Sequence, residues 1–319
     1  MENKFIKISK NLLFLLLVLF FVCLGYFLFF RNTQKIGLTA ISKINPVEIS
    51  SYLNSLNKER FTEESKQYVR DFIKSEFEKY GYNATEQKTD NGYTNIIASK
   101  SVITNKDILI GAHYDTVPDT VGIDDNASGV SALLAIAKYN QNFNVRFVVF
   151  DGEEYGFSGS SYYVKNTYPN PRLVIILETI GYYSDNPNTQ KLPKFYDILY
   201  RGLYNRLKEN EFRGNFSTSV CTNNAKLFCD NYESYGSSLN LEVNTLYIPK
   251  ISFIKNLFLD LFRSDHAPFL IEGIPAVMIT DSGNFRNPNY HESTDTIDTI
   301  SADFIAKQAN AILAAISGE

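Results

Sequence analysis

Cysteine is scarce in this 319-residue chain, and the scarcity excludes a metal site built on thiolates. Of the three cysteines, Cys23 lies in an apolar run near the amino terminus. Cys221 and Cys229 lack the nearby partners that a cysteine zinc site needs. In an oxidising compartment these two can pair and close a short loop, and two free thiols are the equal alternative. No basic stripe occurs and the formal net charge is −4, so nucleic acid is not an expected partner. Tryptophan is absent while tyrosine (21) and phenylalanine (24) are abundant, a compositional habit without functional content. No internal repeat is present, nor any low-complexity tract outside the apolar run. What remains is ordinary for a globular protein, with 44% hydrophobic and 21% charged residues. The length suits one domain of about 250 residues with an appendage, or two smaller domains.

The apolar run covers residues 12–30 without a charge. As a helix it would measure about 28 Å, close to the roughly 30 Å of bilayer hydrocarbon. Lys4, Lys7 and Lys10 precede it, which keeps that end cytoplasmic and exports the remainder. The run exceeds the apolar core of about 7–15 residues in a cleaved signal peptide, and no small-residue cleavage pattern follows it. Phe21 and Val22 stand before Cys23, where a lipoprotein site would have small residues. The expectation is a cytoplasmic tail (1–11), a transmembrane anchor (12–30), a linker (31–50) and an extracytoplasmic domain (51–319). A secreted or periplasmic domain after cleavage is the alternative.

Beyond the linker, strands and helices alternate. Val69, Phe72, Ile73, Phe77 and Tyr80 form a helical stripe over 62–80, stopped at Gly81. Residues 107–113, 145–150, 173–177 and 275–279 are short continuous apolar strands, while 126–139 and 301–317 are helices. Such strands predict an α/β fold, its central sheet mostly parallel and covered by helices on both faces, with chemistry where strands end. The stretch 186–263 breaks the rhythm and reads as an insertion beside the site, without the boundary of an independent domain.

All three histidines sit in short polar clusters. Gly111-Ala112-His113-Tyr114-Asp115 closes a strand, and Gly122-Ile123-Asp124-Asp125-Asn126 opens a helix. Asp151-Gly152-Glu153-Glu154-Tyr155-Gly156 follows a strand, as does Glu178-Thr179-Ile180-Gly181. The last are Ser264-Asp265-His266 and Tyr290-His291-Glu292-Ser293-Thr294-Asp295. Singly each has a bland reading: a hydrogen-bonded histidine, a helix N-cap, a solvated glutamate pair. Together they match what a co-catalytic zinc pair requires. That is about five imidazole and carboxylate ligands, one of them shared, and a further carboxylate to take a proton from water. Adjacent Glu153 and Glu154 can supply both a base and a ligand.

This ordered pattern, over roughly residues 60–319, resembles the zinc aminopeptidase superfamily of two-zinc exopeptidases. That group includes bacterial aminopeptidases, glutamate carboxypeptidases and glutaminyl cyclases. The resemblance implies a zinc-dependent exopeptidase fold binding two Zn2+ per chain, with a peptide as substrate. It implies that His113, Asp125 and Glu178 hold one zinc and that Asp125, Glu154 and His291 hold the other. Glu153 would be general base and acid, and Asp115 would orient the His113 imidazole. Asp265 would belong to the surrounding hydrogen-bond network and His266 to the pocket. Many relatives have Asp where this chain has Glu178, whose arm is one methylene longer. The surrounding residues resemble a bacterial branch with Glu there. The implied activity is that of an aminopeptidase. A carboxypeptidase or dipeptidase, a glutaminyl cyclase-like acyltransferase and a non-catalytic receptor-like homologue are the alternatives. Residues 251–262, apolar and just before Ser264, either wall a side-chain pocket or pack on the core.

Overall fold

The computed structural model describes residue 20 and residues 43–248 and 259–317. The expected tail, the anchor apart from residue 20, the first part of the linker and most of 251–262 lie outside the described residues. Among the described residues no helix is long and apolar enough to cross a membrane.

A compact unit begins at Lys43, inside the stretch read as linker. The reason is a capped helix, α1 (Pro46–Leu56). The Asn45 side chain accepts a hydrogen bond from the Glu48 N–H (3.0 Å), and Pro46 fits the first turn, where its missing N–H has no partner to lose. Ile49, Tyr52, Leu53 and Leu56 then face the core. Asn310 secures the entry by accepting from Lys43 N (2.9 Å) and Ile44 N (3.0 Å). Helix α2 (Glu63–Lys79), capped by Thr62, buries Val69, Ile73 and Phe77, three members of the expected stripe.

Eight strands form one sheet: β1 (Asn83–Lys88), β2 (Thr94–Ser99), β3 (Ile108–His113), β4 (Val145–Phe150), β5 (Leu173–Glu178), β6 (Ser217–Cys221), β7 (Val243–Tyr247) and β8 (Ala276–Thr280). Their order is β1-β2-β4-β3-β5-β8-β6-β7. The central pairs β4/β3, β3/β5 and β5/β8 are parallel, as is β6/β7, whereas β1/β2, β2/β4 and β6/β8 are antiparallel. The sheet is therefore mixed with a parallel centre. Alternate residues of the central strands enter different cores. Ile108 and Ile110 join the larger one with helices α3 (Gly129–Tyr139) and α9 (Ala302–Ser317). Leu109, Val174 and Ile176 join the smaller one with Tyr163 of α4 (Ser158–Asn166) and Phe269 of α8 (His266–Ile271). Burial on both faces is why β3, β4 and β5 read as nearly continuous apolar runs, with Arg146 the exception inside β4.

The stretch 186–263 is more than decoration, because it supplies β6 and β7 to the sheet. Its helices α5 (Tyr196–Leu199) and α6 (Arg201–Glu209) build a third apolar cluster with Phe216, Leu246 and Met278. Helix α7 (Lys226–Ser238) is tied to the end of β6 by a disulfide between Cys221 and Cys229, whose Cα atoms are 6.8 Å apart.

Candidate metal centre

The parallel centre of the sheet brings three chemical segments to one edge. His113 is the last residue of β3 and pairs in register with Phe150, the last of β4, so Glu153 and Glu154 follow just beyond. Glu178 ends β5 alongside. Asp125 arrives from the turn Ile123–Ser128, with a cis peptide bond to Asn126. The Asn126 side chain donates to Leu177 O (2.8 Å) and accepts from Thr179 N (3.2 Å), tying the turn to the end of β5. The Asp295 carboxylate accepts from Asp124 N (2.9 Å) and Asp125 N (3.1 Å). His291 enters from the loop before α9 with a left-handed backbone (φ 62°) and its ring stacked on Tyr290.

The side chains converge. His113 Nε2 lies 3.2 Å from Asp125 Oδ1 and 3.5 Å from Glu178 Oε2. His291 Nε2 lies 3.0 Å from Asp125 Oδ2 and 3.2 Å from Glu154 Oε2. The two oxygens of Asp125 therefore face different histidines. In each triad, His113–Asp125–Glu178 and Asp125–Glu154–His291, one potential ligand atom per residue lies within 4.8 Å of the others. His113, Glu153 and Glu154 meet the same criterion.

Other groups set the orientation. The Asp115 backbone oxygen stands 3.2 Å and its carboxylate 3.5 Å from His113 Nδ1, an arrangement that would hold the proton on that nitrogen and turn Nε2 to a metal. The same carboxylate accepts from Glu153 N (3.2 Å) and Glu154 N (3.3 Å), so one residue aligns the imidazole and the glutamate loop. Ser264 donates to Glu178 Oε2 at 2.7 Å, steadying the longer arm.

The unsatisfied atoms test whether a cation fits. His113 Nε2, both carboxylate oxygens of Asp125 and Glu154 Oε1 are buried without a hydrogen-bond partner. Leaving buried acceptors face to face is costly, and a divalent cation among them supplies the missing partner. Imidazole with carboxylate is a donor set suited to zinc. The electrostatics agree. Burial pushes Glu153 well above the usual carboxyl range, and the Glu178 and Asp265 carboxylates push the same way against His113. Burial and the Asp125 charge raise Glu154 to about 7. Burial works against a charged His113, yet Glu178 and Glu153 carry it well above its ordinary value. His291 rises to about 10 against burial, through Asp125 and Glu154. The cluster holds more negative charge than its own side chains balance. The residues fit a metal.

The remaining expected residues divide. Asp265 is fully buried, and burial raises it to about 7. His266 is equally buried, its Nε2 donating to Leu261 O at 2.7 Å, and burial lowers it to about 4. It is a neutral interior residue outside the lining of the cavity beside the site, because its ring is turned to the backbone ahead of α8. That cavity, about 750 Å³ with its open mouth, reaches from Glu178 and Tyr290 to Leu203, Phe216 and Met278 of the third apolar cluster. Arg60, Asn126, Ser264 and Asp295 support the site without having been expected there. Asn126, Ser264 and Asp295 stand inside the quoted motifs, whereas nothing near Arg60 in sequence points to it.

Residues 95–316 match the profile of Peptidase family M28, a span containing every residue of both triads. The chain is 30% identical over 268 residues to the uncharacterized protein YfbL of Escherichia coli (strain K12), covering 76% of this chain and 77% of that protein. Over 61 residues it is 41% identical to aminopeptidase YwaD of Bacillus subtilis (strain 168), covering 18% of this chain but 13% of YwaD. Its fold is similar to that of the Legionella pneumophila LapA aminopeptidase, with a TM-score of 0.64 at 17% identity over 100% of this chain and 78% of that one. It is also similar to that of Porphyromonas gingivalis glutaminyl cyclase, with a TM-score of 0.60 at 18% identity over 86% and 98%. At such identities the structural likeness speaks for the fold. The profile match, which spans well over half of the chain, makes it a member of peptidase family M28, a metal-dependent peptidase.

Proposed function

We propose that the chain is an aminopeptidase that binds two zinc ions and uses Glu153 as its general base. One observation carries this reading: the two oxygens of Asp125 face His113 and His291 separately, the division expected of a shared ligand. His113, Asp125 and Glu178 would hold one ion, and Asp125, Glu154 and His291 the other. Bound zinc lowers the pKa of a water and polarises a scissile carbonyl. Glu153, next to a ligand and in contact range of His113, takes the water proton and returns it to the leaving amine. Asp115 holds His113 in its ligating tautomer.

The apolar cavity beside Glu178 suits the side chain of a large apolar terminal residue. Two cations, Lys191 and Arg263, also line it, and a carboxypeptidase would need such a charge for the substrate carboxylate. Arg263 is engaged by Asp260 (3.7 Å) and Asn284 (3.2 Å), which leaves Lys191 as the cation that a carboxypeptidase would have to use. Leucyl and phenylalanyl p-nitroanilides should be hydrolysed with zinc, stopped by chelators and spared when N-acetylated. Equal cleavage of acetylated substrates, or release of carboxyl-terminal residues alone, would rule the reading out.

We also place the domain outside the cytoplasm, on an anchor at 12–30. The lysines before the run and the Cys221–Cys229 disulfide support this placement. Protease added to intact cells should then digest the domain. A domain protected until the cells are opened contradicts the placement.

A further inference from the structure

A guanidinium stands behind the site, in a position the mechanism does not use. Arg60 follows α1 and is completely buried. All of its guanidinium's hydrogen bonds among the described residues end on backbone carbonyls. Nε donates to Tyr114 O (2.6 Å) and Nη2 to Gly122 O (2.7 Å). Nη1 points to Val121 O (2.6 Å), Lys58 O (2.8 Å) and Leu56 O (3.0 Å). The backbone joins in, with Arg60 N donating to Thr116 Oγ1 (3.1 Å) and Thr116 N donating to Arg60 O (3.3 Å).

These contacts seize both ends of one loop, 114–122. The loop starts directly after His113, carries Asp115, and delivers the chain to the turn that bears Asp125. A fork of donors fixed in a plane can hold carbonyls that approach from different directions; an ammonium, with its donors on a single atom, cannot reproduce that spread. Arg60 lies outside residues 95–316, the part that matches the family.

We propose that Arg60 is a positioning residue that sets the spacing between the His113–Asp115 segment and Asp125, so that the ligand cluster is assembled before metal binds. The inference rests on the metallopeptidase reading above. Without the fork the loop loses its common anchor, and the ligands must be ordered at the expense of metal affinity. Removal of groups that orient metal ligands typically weakens metal binding about 10–100-fold.

The test is a zinc titration of the full-length chain in detergent, against a chromophoric chelator, with thermal unfolding of the zinc-free protein recorded in parallel. The variants are Arg60→Lys, Arg60→Met and, as a control, Arg146→Met. Arg146, on β4, is as deeply buried, but it serves Pro169 O (2.9 Å) instead of the 114–122 loop. Both Arg60 variants should bind zinc about 10–100-fold more weakly, with lysine failing to rescue. The Arg146 variant should melt earlier and keep its zinc affinity within about twofold, showing that lost stability alone does not weaken the site. If Arg60→Met does not fold, Arg60→Lys decides. A folded Arg60→Lys protein with wild-type zinc affinity overturns the proposal. Wild-type protein that binds no zinc at all instead overturns the metallopeptidase reading on which it rests.

Discussion

Glu153 and Glu154 are chain neighbours to which the proposed mechanism gives different tasks, and substitution should separate them. Glu153→Gln keeps size and polarity but cannot accept a proton. Zinc should stay bound while turnover falls about 10²–10⁴-fold. Glu154→Gln should lose activity together with zinc, since Glu154 faces His291 as part of a triad. Turnover near wild type in fully zinc-loaded Glu153→Gln protein would remove the base from the mechanism. His266 offers a residue-scale prediction about stability. Burial lowers it from 6.5 to about 4, so the folded protein binds its proton less readily than the unfolded chain. The resulting stability is complete above pH 6.5 and is lost as the pH falls toward 4. Relative to His266→Gln, wild type should lose about 3 kcal/mol between pH 7.5 and 4, measured by denaturant unfolding. Parallel pH profiles for the two proteins would contradict the assignment.

At the scale of elements, the turn before Asp125 is the tightest piece of the site. Gly122 has φ +52°, and an added Cβ would meet Asp125 O at 2.2 Å and Arg60 Nη2 at 3.1 Å. Gly81, with φ +79°, has nothing within 4 Å of that position. Gly81→Ala should therefore cost about 1–2 kcal/mol of backbone strain and leave zinc affinity intact. Gly122→Ala should cost more and weaken zinc binding, because relief of the contact moves Asp125. Equal zinc affinity in the two variants would separate the turn from the metal site. Much of this element scale was legible in the sequence. The parallel strands β3, β4 and β5 are apolar apart from Arg146 and the terminal His113 and Glu178 because both faces are covered, and the polar site residues gather where the strands end. Strands β6 and β7 were not legible, because Ser217, Thr218, Ser219, Asn244 and Thr245 break the apolar runs at the far side of the sheet. Helix α1 was hidden by the polar residues between its buried ones. Arg60 was hidden by distance, since its partners at 114–122 become neighbours only when the chain folds.

For the whole molecule, the two triads form one charged centre at the edge of a sheet, assembled from segments spread between Arg60 and Asp295. The family match gives a metal-dependent peptidase, while the proposed preference for an apolar terminal residue rests on a cavity built largely by 186–263. The shared position of Asp125 is the central claim, because it decides between one metal and two. Elemental analysis of purified full-length protein, equilibrated with zinc and freed of unbound metal, tests it most directly. The account predicts two zinc ions per chain, falling when Asp125 is replaced by Ala. Folded wild-type protein that retains one zinc or none would contradict it.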